Sequence, residues 1–205
     1  MKKTLRWTRR LLLYHIIVLA ILLAPIWIIT AAFTTPSNNR EWASDQAVLP
    51  YAEIDGNKVT IRNIRNFSYT STSNYTPAFY DKTFDMSKIK KARYIVEPFS
   101  GIPGSAHTFL SFEFEDNQFI SISVEIRKEK GEKFNPIKAL FNQFEIMYVI
   151  ADERDVINLR ANYRKDMVFL YPVRAGKEKV AALFLDMLQK TNELRDTPEF
   201  YNTMF

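Results

Sequence analysis

Apolar residues run without a formal charge through LLLYHIIVLAILLAPIWIITAAF, residues 11–33. At about 1.5 Å per residue, a helix of this length spans a hydrocarbon core of about 30 Å with some tilt. After it the period shortens. HTFLSFEF (107–114) and FISISVEIR (119–127), joined by EDNQ, both alternate. Thr108, Leu110, Phe112 and Phe114 share one face of the first arm; Ile120, Ile122, Val124 and Ile126 share one face of the second. Period-two alternation predicts a hairpin with one buried face. Both apolar sets land on the same side only if opposed residue numbers have an even sum, which demands an odd-length loop such as Glu115-Asp116-Asn117. Two neighbouring registers satisfy that condition. The other face carries His107, Ser111, Glu113, Ser121, Ser123, Glu125 and Arg127. In one register His107 stands opposite Glu125; in the other it stands opposite Arg127, with Glu125 on the diagonal.

The remaining pattern mixes strands and helices. NKVTIRNIRNFSY (57–69) reads as a strand after an I-D-G turn, and ARYIVEPF (92–99) as another, closed by Ser100-Gly101 and Pro103-Gly104. Residues 136–142 suggest a short helix, FEIMYVIAD (144–152) a strand, and MVFLYPV (167–173) a further strand. Between the last two, ERDVINLRANYR offers salt-bridging residues at Glu153, Arg154, Asp155 and Arg160. In 177–195 the spacing of Val180, Leu183, Phe184, Met187, Leu188 and Leu194 predicts an amphipathic helix, stopped by Asp196-Thr197-Pro198. Strands bracketed by helices without a regular βαβ repeat indicate an α+β domain with an antiparallel sheet.

Charge adds topology. Lys2, Lys3, Arg6, Arg9 and Arg10 make the first ten residues strongly basic, and the whole chain is +5 with 28 basic and 23 acidic residues. Without that tail the chain is neutral, so the folded part lacks the basic footprint that nucleic-acid binding needs. The positive-inside rule places residues 1–10 in the cytoplasm, 11–33 across the membrane as an anchor, and the rest outside. A cleaved signal peptide ending near Thr30-Ala31-Ala32 is the rival reading, but its apolar region would be unusually long. Residues 34–50, rich in turn formers, read as a linker into a domain over 51–205.

The candidate chemistry is sparse. The sequence holds no cysteine and two histidines, His15 and His107. No Gly-rich phosphate loop, G-x-S-x-G or H-E-x-x-H occurs, so no cofactor or metal site is expected. His15 sits near the cytoplasmic end of the apolar run. His107, close to a carboxylate, could transfer protons, since a carboxylate neighbour fixes the imidazole tautomer and raises its basicity. The plain alternative is a hydrogen-bonded, inert histidine at a strand end.

Taken in order, REW-SDQ (40–46), VTIRNIRNFSY (59–69), AHTFLSFEF (106–114), SISVEIRKEKGE (121–132), YVIADERDVINLR (148–160), VFLYPV (168–173) and PEFYNT (198–203) resemble a bacterial family. It is the family typed by the N-terminal periplasmic domain of the lipoprotein N-acyltransferase Lnb. The resemblance implies a permuted relative of papain-like, NlpC-type thiol enzymes. It implies that His107 is the general base, Glu125 its orienting residue, and the nucleophile a cysteine in an Asn-Cys pair shortly after Thr203. The sequence stops at Phe205, so the expectation is a chain cut just before that cysteine, or one that has lost catalysis. Arg154, Asp155 and Arg160 also match the family and read as an internal ion-pair network. Asn192, Tyr201 and Asn202 match as residues that position the loop presenting the cysteine.

Three functions follow. The first is a single-pass inner-membrane protein whose periplasmic thiol hydrolase or acyltransferase domain acts at the bilayer on lipoprotein or envelope acyl or amide bonds. The second is a tethered, non-catalytic interaction module of the same fold. The third is a structural domain without enzyme ancestry.

Overall fold

The computed structural model describes residues 2–99, 104–135 and 143–201. Its first helix, α1, runs from Lys2 to Phe33 with Pro25 inside. Within it Trp7–Ile29 is long and apolar enough to cross a membrane, and none of that stretch is buried in the rest of the chain. The helix therefore includes the basic tail as well as the apolar run.

The domain is built on one sheet. Its strands are β1 (Tyr51–Asp55), β2 (Lys58–Arg65), β5 (Phe79–Asp85), β6 (Ile89–Pro98), β7 (Ala106–Phe114), β8 (Phe119–Arg127), β9 (Glu145–Ala151) and β10 (Phe169–Pro172). Two short strands, β3 (Ser68–Tyr69) and β4 (Tyr75–Thr76), pair apart from it. The order is β1-β2-β9-β8-β7-β6-β10, with β5 also on β2. All pairings in the sheet are antiparallel except β2 with β9, which meet in parallel at Arg65 and Ala151. The I-D-G turn joins β1 to β2 with Gly56 at φ +55°, a conformation glycine adopts without strain.

The central hairpin follows its parity rule. Leu110 lies opposite Ile122 and Phe112 opposite Ile120, the first of the two allowed registers. The loop is the three-residue turn Glu115–Asn117, closed by the Phe114 N–H donating to the Gln118 carbonyl. Leu110, Phe112, Phe114, Ile120 and Ile122 pack with Val180, Phe184 and Leu188 of helix α3 (Lys177–Asp196).

The opposite face corrects the expectation of a single buried side. Helix α2 (Glu153–Asn158), continued by a π-helical turn over Leu159–Arg164, covers it. There Ile95, Phe109, Met147, Val149, Ala151 and Val156 form a second core. Ser111, Ser121, Ser123, Glu113 and Arg127 are consequently buried. The hairpin supplies mostly polar residues and Phe109 to this face, and β6 and β9 supply further apolar ones, so a helix can dock there. The sheet thus lies between α3 and α2.

Residues 34–50, expected as a linker, hold no regular strand or helix but pack closely on the domain. Trp42 is buried under the Arg127 guanidinium at 4.1 Å. Arg127 donates to Asn38 Oδ1 (2.8 Å) and to the carbonyls of Gln46 (2.9 Å) and Ala47 (3.0 Å). The Gln46 side chain bonds the β8 edge at the Ile126 carbonyl and the Lys128 N–H, 2.7 Å each, as a strand peptide would. Asn38 Nδ2 donates to the Leu194 and Arg195 carbonyls, satisfying acceptors that the α3 C-terminus leaves open. The expected helix over 136–142 lies outside the described residues.

Candidate active site

At one edge of the sheet β6 ends, β7 begins, β8 ends and β9 begins. His107 is the second residue of β7, with Glu97 of β6 beside it in the register. Glu125 and Ser123 project from β8 on the same face. His107 Nε2 is 2.8 Å from Ser123 Oγ and 3.2 Å from Glu125 Oε1. Ser123 Oγ donates to Glu125 Oε1 at 2.8 Å. Having spent its proton there, the hydroxyl accepts from His107, so Nε2 carries the imidazole hydrogen. Nδ1 then holds the free lone pair, and among the described residues nothing hydrogen-bonds it.

Glu125 is held from a second side. Arg160 NH2 donates to its Oε1 at 3.0 Å, while Arg160 Nε donates to Glu97 Oε2 at 2.6 Å. Arg160 is 4% exposed and lies 4.8 Å over the Phe109 ring, which stacks on His107 at 5.9 Å. Burial opposes ionisation of Glu125, but the hydrogen bond and charge of His107, the charge of Arg160 and the Ser123 hydroxyl outweigh it. The carboxyl is held well below the usual carboxylate range. The carboxylate and the Ser123 hydroxyl hold the ring through Nε2 and leave Nδ1 facing away from them as the candidate proton acceptor.

These groups open into a cavity of about 340 Å³ whose walls include His107, Glu125, Arg160, Ile126, Phe134 and Tyr201. Tyr201 is the last described residue. It arrives because residues 199–201 run along the start of β9: Ile146 N–H donates to the Glu199 carbonyl (3.0 Å) and Tyr201 N–H to the Phe144 carbonyl (2.8 Å). A second groove, of about 320 Å³, lies at the other end of the domain between Met86, Ser87 and the α3 start, and no histidine lines it. Among the described residues no three His, Asp or Glu side chains cluster so as to hold a metal ion.

The other expected residues separate. Asp155 is fully buried and accepts from Arg65 Nε (3.1 Å) and NH2 (2.9 Å), the Phe67 N–H (2.7 Å) and the Tyr69 hydroxyl (2.9 Å). It is an ion-pair network, as read, and lies apart from the cavity. Arg154 bonds Asn66 near the surface. Arg160 belongs to the site itself. Asn192 clamps β1 through the Ala52 N–H (2.8 Å) and carbonyl (2.7 Å), so its role differs from the loop positioning expected of it. Asn202 lies outside the described residues. Sequence reading missed Ser123 as the link between His107 and Glu125, and missed Glu97. The parity argument already put Ser123 on the right face; only the hydrogen-bond geometry assigns its role.

The family described as the Lnb N-terminal periplasmic domain matches residues 75–205. No curated protein and no solved structure matches the chain.

Proposed function

The chain belongs to the Lnb N-terminal periplasmic domain family, which with the apolar helix α1 fits a membrane-anchored periplasmic domain, and we propose that its His107 site is the base of a thiol acyl-transfer centre. In this reading the domain is a permuted, papain-like relative, and the nucleophile is the cysteine of an Asn-Cys pair just beyond Phe205. Nδ1 of His107 takes the thiol proton, and Ser123 and Glu125 hold the imidazolium. The thiolate attacks an acyl carbonyl, and the leaving group departs with the proton from His107. The resulting thioester passes its acyl group to an amine or to water. Substrates would be lipoprotein or envelope acyl or amide bonds at the bilayer.

The observation that carries this reading is convergence in one cavity. His107, with its oriented imidazole, shares that cavity with Tyr201, the last described residue. The coding sequence after Phe205 is the first test. An Asn-Cys pair within a few residues supports the enzyme; its absence favours the non-catalytic interaction module, which would use the same cavity for binding alone.

The proposed orientation puts the N-terminus in the cytoplasm, because the five basic residues lie at the N-terminal end of α1, ahead of the uncharged run 11–33. Protease added to spheroplasts should then digest everything after Phe33. Protection of the domain would reverse the orientation, and release into the medium would remove the anchor.

A further inference from the structure

We propose that the edge of the sheet bearing the His107 cavity rests on the bilayer surface, with Phe99 and Phe134 contacting it. The inference depends on α1 spanning the membrane. Its central observation is how short the tether is. The apolar stretch ends at Ile29 and the helix at Phe33. Ser37 is already fixed to the domain, its N–H donating to Glu145 Oε1 at 3.1 Å. Four helical and four extended residues reach no more than about 20 Å.

Everything that follows Ser37 fastens the tether to the same edge. Arg40 pairs with Glu145 (2.9 Å) at the start of β9 and with Glu129 (2.8 Å) just past β8. The Ala43 N–H donates to the carbonyl of Lys128, a wall of the cavity, at 2.9 Å. The tether and the cavity are therefore neighbours, and the domain cannot swing that edge far from the membrane. The opposite edge, with the Glu115–Asn117 turn, lies a strand length away, about 26 Å from His107.

The rim has the chemistry of an interfacial surface. Phe99 is 48% and Phe134 56% exposed, both on the cavity wall. Lys128 and Arg164 line the same cavity, and Lys130 and Lys133 lie in the segment that leads from Lys128 to Phe134. Among the nearby acids, Glu129 is already paired with Arg40. Aromatic rings with basic neighbours suit the headgroup region of an anionic bilayer. A cavity opening there would meet substrates without lifting them out of the membrane.

Residues 1–205 hold no cysteine, so with any cysteine beyond Phe205 replaced by serine each introduced cysteine carries a single nitroxide label on the full chain. Phe99→Cys, Phe134→Cys, Glu115→Cys and Leu19→Cys are each labelled and reconstituted in phosphatidylethanolamine/phosphatidylglycerol vesicles. Collision rates with oxygen and with a water-soluble nickel chelate then report depth. Leu19 should favour oxygen strongly, labels at 99 and 134 should favour oxygen relative to the label at 115, and 115 should behave as in water. If 19 is deep but 99 and 134 match 115, the docking is wrong and the anchor stands. If 19 is itself in water, the anchor fails and the docking falls with it.

Discussion

If the proposed thiol centre is right, His107→Ala should lower acylation of the chain extended through the Asn-Cys pair by an activated ester such as p-nitrophenyl butyrate by at least about 10²-fold, the usual scale for losing a general base. The loss should appear in the first turnover, read as the burst of p-nitrophenol, because the missing proton acceptor acts in thiol attack. Glu125→Gln should cost less, since it leaves Nδ1 in place and changes only what holds Nε2. Glu125 also leaves a mark on stability. Its folded-state carboxyl lies below its unfolded value, so the unfolded chain takes the proton first as the pH falls. The stabilisation it gives is whole above the unfolded pKa of about 4.5 and fades as the pH drops toward the folded value. Urea midpoints of Glu125→Gln should therefore fall less between neutral and acidic pH than those of the parent. Parallel pH curves for the two proteins would mean that the carboxylate is not held by the network around it.

Asp155→Ala should produce the largest loss of stability in the molecule, about 3–5 kcal/mol. Asp155 is fully buried, and its removal strands Arg65 with 8% exposure along with the Phe67 N–H and the Tyr69 hydroxyl. An uncompensated buried charge accounts for most of that cost, so Asp155→Asn, which keeps one acceptor oxygen, should lose stability too. Urea denaturation gives the comparison. A shift under about 1 kcal/mol in the alanine variant would contradict the account of this network. The effect should extend to the site, because Asp155 lies in the helical segment that leads to Arg160 and so to Glu125.

What could be read in advance follows from how local the physics is. Alternation and loop parity needed only residues 107–127, and they placed His107 and Glu125 on one face, as the structure has them. The 3.6-residue period of α3 needed only its own sequence; Val180, Phe184, Leu188 and Leu194 are buried, although Leu183 remains 36% exposed. The second buried face was not legible, because the hairpin supplies only Phe109 to its buried apolar residues and the rest come from β6, β9 and α2. β5 escaped for a related reason: in FYDKTFD only Phe84 is buried, so it carries little alternation. Arg160 was read as part of a charge network, but its partners Glu97 and Glu125 lie 63 and 35 residues away. Only the folded chain shows that the network ends at the histidine. The docking of residues 34–50 was hidden likewise, since Arg127 and Gln46 act through backbone carbonyls that leave no pattern in side-chain chemistry.

The central claim is that His107 activates a thiol carried just past Phe205, and the rate at which that thiol is alkylated tests it most directly. Iodoacetamide at about pH 6 is applied to the chain extended through the expected Asn-Cys pair, with His107 intact and with His107→Ala. An adjacent imidazolium lowers a thiol pKa from about 8.5, so the intact protein should react about tenfold or more faster than a free cysteine. That advantage should vanish in the alanine variant. A rate equal to that of free cysteine, unchanged by His107→Ala, would contradict the claim and leave the cavity as a binding site on a tethered module.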